Sequence, residues 1–180
     1  MHESTDPNPL TDPLFLGGLR PVPTGGVGGA IGWPAASIVG KDPTGNPLTI
    51  AVDETDHRPL LLAFLSVDCL GCHEFWVGFA DRPDGSGLCE PGLSSVRAVV
   101  VTKGPEHVAP GDVAAVSVEM GSVPVVMSEG AWSDYRVSGY PFFVVVDPTA
   151  RTVLAETVGM GWSDVHAILP KATPDDQHAP

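Results

Sequence analysis

Apolar and polar positions follow two alternating regimes through the middle of this chain. Short, β-branched apolar runs are each closed by Pro, Gly or Asp, and stretches with helical spacing lie between them. Ala36-Ser37-Ile38-Val39 and Leu48-Thr49-Ile50-Ala51-Val52, joined by Asp42-Pro43-Thr44-Gly45-Asn46, predict a hairpin. Leu60-Leu61-Leu62-Ala63-Phe64-Leu65 predicts a strand. His73 to Ala80 then opens a short helix, which Asp81-Arg82-Pro83-Asp84-Gly85-Ser86-Gly87 must end. Val96 to Thr102 is continuous and β-branched, as expected of a strand covered on both faces. Between Pro105 and Val118 the pattern supports only a short helix near Asp112 to Val116, because Pro110 and Gly111 interrupt it. Val123-Pro124-Val125-Val126-Met127 reads as a strand, and Glu129 to Val137 as a helix with Trp132, Tyr135 and Arg136 on one face. Phe142-Phe143-Val144-Val145-Val146 is the strongest strand. Thr152 to Val158 is its hairpin partner, and Trp162 to Leu169 a final amphipathic helix.

Strands alternating with helices predict an α/β domain over residues 33–169: a central mixed sheet with helices on both faces and an N-terminal β-hairpin extension. Residues 1–32 are rich in Pro and Gly without a sustained period, and read as an extended arm. Gly25-Gly26-Val27-Gly28-Gly29 does not make a phosphate cradle, since no strand precedes it and no periodic helix follows. Residues 170–180 read as a disordered polar tail.

Charge narrows the function. Nine Lys plus Arg against 22 Asp plus Glu give a formal net charge of −13, so nucleic acid and anionic bilayers are repelled. The apolar runs fall short of the roughly 18 residues a spanning helix needs. Met1-His2-Glu3-Ser4 lacks the basic start and apolar block of an export signal. As written the chain is expected to be cytoplasmic. A membrane anchor or an extracytoplasmic location would require sequence upstream of Met1.

Three cysteines are too few for a disulfide scaffold, and two of them share Cys69-Leu70-Gly71-Cys72, at the junction between a predicted strand and a predicted helix. The helix start places both sulfurs on one side of its first turn. There, unpaired N–H groups and the positive dipole end favour a thiolate. Cys69, nearer the start, is the expected nucleophile toward a disulfide, and Cys72 the resolving thiol. Asp68, His73 and Glu74 are candidates to move protons, with Glu74 the first choice and a plain solvated role the alternative. Cys69-Leu70-Gly71-Cys72-His73 also fits a c-type haem attachment motif, but the β-rich sequence downstream argues against the helical pocket that haem would need. A zinc site would want four ligands, with only Cys89 and scattered histidines to complete it, so no metal is expected. Cys89, in a Gly- and Pro-rich loop, is either a third redox thiol or incidental. Trp33, Trp76, Trp132 and Trp162 are expected to pack in the core and at its edges.

Taken together, the hairpin, the strand into Cys69-Leu70-Gly71-Cys72, a strand about thirty residues later, and Val123-Pro124-Val125-Val126-Met127 leading to Gly139-Tyr140-Pro141-Phe142-Phe143-Val144-Val145-Val146-Asp147 resemble the thioredoxin-like superfamily. Within it they are similar to the redoxin and TlpA/ResA-type disulfide reductases. The resemblance implies a thioredoxin-like fold and a thiol-disulfide oxidoreductase that needs no cofactor beyond a redox-active Cys69–Cys72 disulfide. Its partner would be a protein disulfide or an upstream dithiol donor. The resemblance further implies that Pro141 is cis and lies against the cysteines, so that the backbone of Tyr140 faces a substrate strand, with Leu70 and Gly71 beside it. A trans, strand-opening Pro141 is the alternative. The chain departs from the family pattern where Asp68 replaces a tryptophan and Ala63 a buried acid. Phe75 stands where ResA-type proteins carry a glutamate, with Glu74 one position early, and Leu70-Gly71 matches no well-known subfamily. A peroxiredoxin-like peroxidase would want proline where Leu62 stands, although Ser66 fits its pattern. A non-catalytic thioredoxin-fold binding module would be favoured by buried or permanently bonded cysteines.

Overall fold

A computed structural model describes residues 32–52 and 56–170, so the arm to residue 31 and the tail from 171 lie outside the described residues. Seven strands form one sheet in the order β2-β1-β5-β4-β3-β6-β7. They are β1 (Ile38–Lys41), β2 (Pro47–Ile50), β3 (Leu60–Phe64), β4 (Arg97–Thr102), β5 (Val125–Met127), β6 (Phe142–Asp147) and β7 (Thr152–Val158). The inner strands β3, β4 and β5 run parallel, β6 and β7 add antiparallel on one side, and the β1–β2 hairpin adds antiparallel on the other. This is the mixed sheet with an N-terminal hairpin that the sequence predicts.

Among the described residues four helices cover it: α1 (His73–Phe79), α2 (Pro110–Val116), α3 (Glu129–Asp134) and α4 (Trp162–Ile168). β3 is buried throughout because the period of two sends Leu61 and Ala63 to one core and Leu60, Leu62 and Phe64 to the other. The first core takes Phe75, Trp76 and Phe79 of α1, Val113 of α2 and Val165 of α4. The second takes Ala131 and Trp132 of α3, with Tyr135 just beyond it. The tryptophans pack as expected: Trp132 and Trp76 are buried, and Trp162 stands edge-on to Phe75 and Phe79. A side chain on Gly78 would run into the Trp162 ring, so glycine there lets α1 and α4 meet.

Two helices differ from expectation. α2 begins at Pro110 itself, because the first helical position needs no N–H and suits the fixed φ of proline. α3 stops at Asp134, three residues short of Val137. Arg136 takes φ 55°, which no helix continues through, and its guanidinium stacks over Trp33.

Candidate active site

Cys69-Leu70-Gly71-Cys72 lies just past the C-terminal end of β3. Cys69 is extended (φ −95°, ψ 115°) and heads a single 3-10 turn, Leu70–Cys72, that runs directly into α1. The turn is thus tighter than the α-helical start the sequence suggests, and the Cys72 amide closes it by donating to the Cys69 carbonyl at 3.0 Å. The two thiols are free. Cys69 is half-buried, and Cys72 is fully buried under it. Burial, and after it the neighbouring Cys69 sulfur, pushes the Cys72 thiol up to about 12, with the Asp68 charge adding in the same direction and the Ser66 backbone opposing.

Pro141 comes to this turn from the start of the neighbouring strand, because β6 pairs antiparallel with β3 in a register that sets Phe142 opposite Phe64. The Tyr140–Pro141 bond is cis. A methyl placed on Gly71 would lie 3.8 Å from Cys69 Sγ and 3.9 Å from Pro141 Cδ, so sulfur and proline flank the same point. Leu70, at 95% exposure, and Tyr140 stand out beside them. Five of the residues singled out in the sequence, Cys69, Leu70, Gly71, Cys72 and Pro141, therefore meet at one place, with Cys72 and Pro141 buried beneath the exposed Leu70 and Gly71 and Tyr140 at the rim.

Other candidates spread outward. Glu74 is exposed on the first turn of α1, with its carboxylate directed toward Gly161, and His73 is exposed next to it. Asp68 is exposed and takes a hydrogen bond from Ser66 Oγ at 3.4 Å. Cys89 is not brought to the pair: its amide donates to the Ala80 carbonyl at the far end of α1, a helix about 10 Å long. Ala63, where the sequence resemblance would expect a buried acid, is buried in β3 between its cross-strand partners Val100 and Phe143.

A cavity of about 230 Å³, which no motif announces, lies beside the dithiol turn and is lined by Ser66, Asp68, Tyr140, Lys103, His107 and Glu129. Lys103 Nζ is 2.7 Å from Glu129 Oε1 and lies over the Trp132 ring, which meets Tyr140 edge-on. The Lys103 ammonium holds the Glu129 carboxyl below its ordinary range. Glu106, His107 and Glu129 bring ligand-type atoms within 4.8 Å of one another, but Lys103 already supplies a positive charge at one Glu129 oxygen. These residues come from the turn that follows β4 and from the start of α3, and no spacing in the chain announces their meeting.

No protein-family model and no curated protein matches this chain in sequence. Solved structures match it in shape. A thioredoxin-family thiol:disulfide interchange protein from Chlorobium tepidum superposes with a TM-score of 0.56 at 17% identity, covering 78% of this chain and 96% of its own. A thioredoxin-like protein from Aeropyrum pernix gives 0.55 at 12% identity, over 74% and 87%. A secreted Mycobacterium tuberculosis disulfide oxidoreductase gives 0.52 at 15% identity, over 72% and 92%. The fold is thioredoxin-like.

Proposed function

We propose that this thioredoxin-fold protein is a thiol-disulfide oxidoreductase, whose Cys69-Leu70-Gly71-Cys72 dithiol reduces or exchanges disulfides of a partner polypeptide. One observation carries the reading: a reachable sulfur at Cys69 stands over a buried, protonated one at Cys72, with Pro141 flanking the first. An attacking thiolate and a protected resolving thiol call for this asymmetry.

In the reducing direction Cys69 attacks as thiolate. A bond forms between its Sγ and one sulfur of the partner disulfide, and the other partner sulfur leaves as a thiolate. Cys72 then gives up its proton and attacks Cys69 Sγ. The second partner thiolate leaves, the Cys69–Cys72 disulfide forms, and the two partner thiolates take up two protons. The partner gains two electrons and this protein loses them, so turnover needs a dithiol donor. Tyr140, with Leu70 and Gly71, offers the surface on which the partner strand lies. Among the proton-moving candidates Asp68 is the one whose charge reaches Cys72, while Glu74 serves the solvent side of the turn.

Insulin-disulfide reduction with dithiothreitol as donor tests this. Cys69→Ser should fall to the uncatalysed rate. Reduced Cys72→Ser, mixed with insulin after the dithiothreitol has been removed, should accumulate a mixed disulfide through Cys69 that runs as a larger species on a non-reducing gel. Equal rates for the wild type and Cys69→Ser would remove the dithiol from the mechanism.

A further inference from the structure

Two residues one turn apart on α1 hold the same point of the preceding chain. Cys72 stands at the N-cap of α1 and Trp76 follows it by four positions, so both side chains lie on the face that packs into the first core. Leu65 is still tied to the sheet, its amide donating to the Val101 carbonyl at 3.1 Å, and Ser66 begins the turn toward Cys69. The Trp76 indole N–H donates to the Ser66 carbonyl at 3.2 Å. The Ser66 backbone in turn acts on the Cys72 sulfur, where it opposes the effect of burial, while the titratable groups Cys69 and Asp68 add to that effect. The group that opposes it is the Ser66 N–H, the one donor that backbone carries. Trp76 is 5% exposed and an indole only donates, so its N–H needs an acceptor inside the fold. Any carbonyl in reach would satisfy it, and the one it takes belongs to the residue whose backbone reaches the resolving thiol.

We infer that Trp76 is a positioning residue for the resolving step: by holding the Ser66 carbonyl, its indole keeps the Ser66 N–H directed at Cys72 Sγ while that sulfur loses its proton and attacks. The inference rests on the disulfide-exchange reading and concerns only the second of its two displacements. Cys69 is half-buried and lies outside this clamp, so its attack on the partner owes nothing to Trp76. Without the indole donor the Ser66 N–H can turn away, and the buried thiolate loses its donor. One hydrogen bond to a charged sulfur changes the thiolate fraction about tenfold. The more basic thiolate is about threefold more nucleophilic, which leaves the resolving step about threefold slower.

The test uses the reduced full-length protein carrying Cys89→Ser, so that Cys69 and Cys72 are its only thiols, and a chromogenic aromatic disulfide in stopped flow. Attack by Cys69 joins its Sγ to one half of the reagent and releases the other half as a coloured thiolate. Attack by Cys72 on Cys69 Sγ closes the disulfide and releases the second half, with the Cys72 proton passing to solvent. Trp76→Phe should leave the first release unchanged and slow the second by about threefold at about pH 8, with the pH profile of the second release alone displaced to higher pH. A tryptophan analogue with sulfur in place of the indole N–H keeps the shape of the ring and should slow the second release to the same extent. A second release unchanged with the analogue, or a first release slowed as much as the second, would overturn the inference and leave Trp76 as core packing alone. If Cys69→Ser in the same background keeps the fast first release, the disulfide-exchange reading itself fails.

Discussion

At the scale of single residues, the contrast between Cys69 and Cys72 has consequences beyond catalysis. A thiol moved from 9.0 to about 12 carries about a thousandfold less thiolate at any pH below both values. Iodoacetamide at about pH 8 should therefore label Cys69 and leave Cys72 unmodified in a peptide map of the folded, reduced protein. Rapid labelling of Cys72 would show that it is neither buried nor protonated. Stability follows the same shift. The folded chain prefers the protonated thiol, so this contribution is intact below pH 9 and is lost as pH rises from 9 toward 12. Burial likewise raises the Tyr135 phenol above its usual 10, with its hydroxyl donating to the Ala36 carbonyl at 2.6 Å, and its loss begins about one unit later. The melting temperature of the reduced protein should decline from about pH 9. Cys72→Ala should decline later, and parallel curves would contradict the assignment. The dithiol was legible in the sequence because its chemistry is packed into four consecutive residues. Lys103, His107 and Glu129 were not, since only the parallel pairing of β4 with β5 brings the ends of β4 and α3 together.

Whole elements were legible where the pattern was long and locally consistent. β3, β4, β6 and β7 fall within about a residue of their predicted limits, since continuous apolar β-branched runs have one good solution in a covered sheet. Helix ends were harder, because a few capping and turn residues decide them. α3 shows this. Ser128 precedes it as the N-cap: its hydroxyl accepts from the Ala131 amide at 3.2 Å and donates to the Val39 carbonyl at 2.7 Å, so one side chain caps the helix and ties it to the hairpin. Ser128→Ala should destabilise the protein by about 1–2 kcal/mol in a urea titration, within the usual range for a lost cap. A change below a few tenths would mean that the cap does not hold α3. Gly78 acts at the junction of α1 with α4, where the Trp162 ring fills the space a methyl would need. Gly78→Ala ought to gain from helix propensity and lose about 1–3 kcal/mol to the clash, a net destabilisation. A more stable variant would show that the two helices separate without penalty. Since Cys72 caps the start of α1, the same substitution should also slow disulfide reduction.

For the molecule as a whole, a formal charge of −13 over 180 residues sets two opposing salt effects, and their sizes decide the sign. Attractive pairs among the described residues are few: Arg58 with Asp56, Lys103 with Glu129, and two histidine–glutamate contacts. Such partly exposed pairs contribute about 0–1 kcal/mol each, and salt weakens them. The repulsion of 13 uncompensated charges along one chain of 180 residues is larger in sum. At about 10 mM salt the screening length is about 30 Å, long enough for every carboxylate to feel most of the others, and at about 0.1 M it is about 10 Å. Repulsion therefore dominates, and the melting temperature should rise as sodium chloride is increased from about 10 mM to about 0.5 M. Chloride is the salt to use, because sulfate strengthens apolar burial on its own and would raise the midpoint for a different reason. A flat or falling curve would mean that local pairs outweigh the net charge. The same field acts on partners: reduction of any basic polypeptide should slow as salt increases, while reduction of a neutral one holds steady.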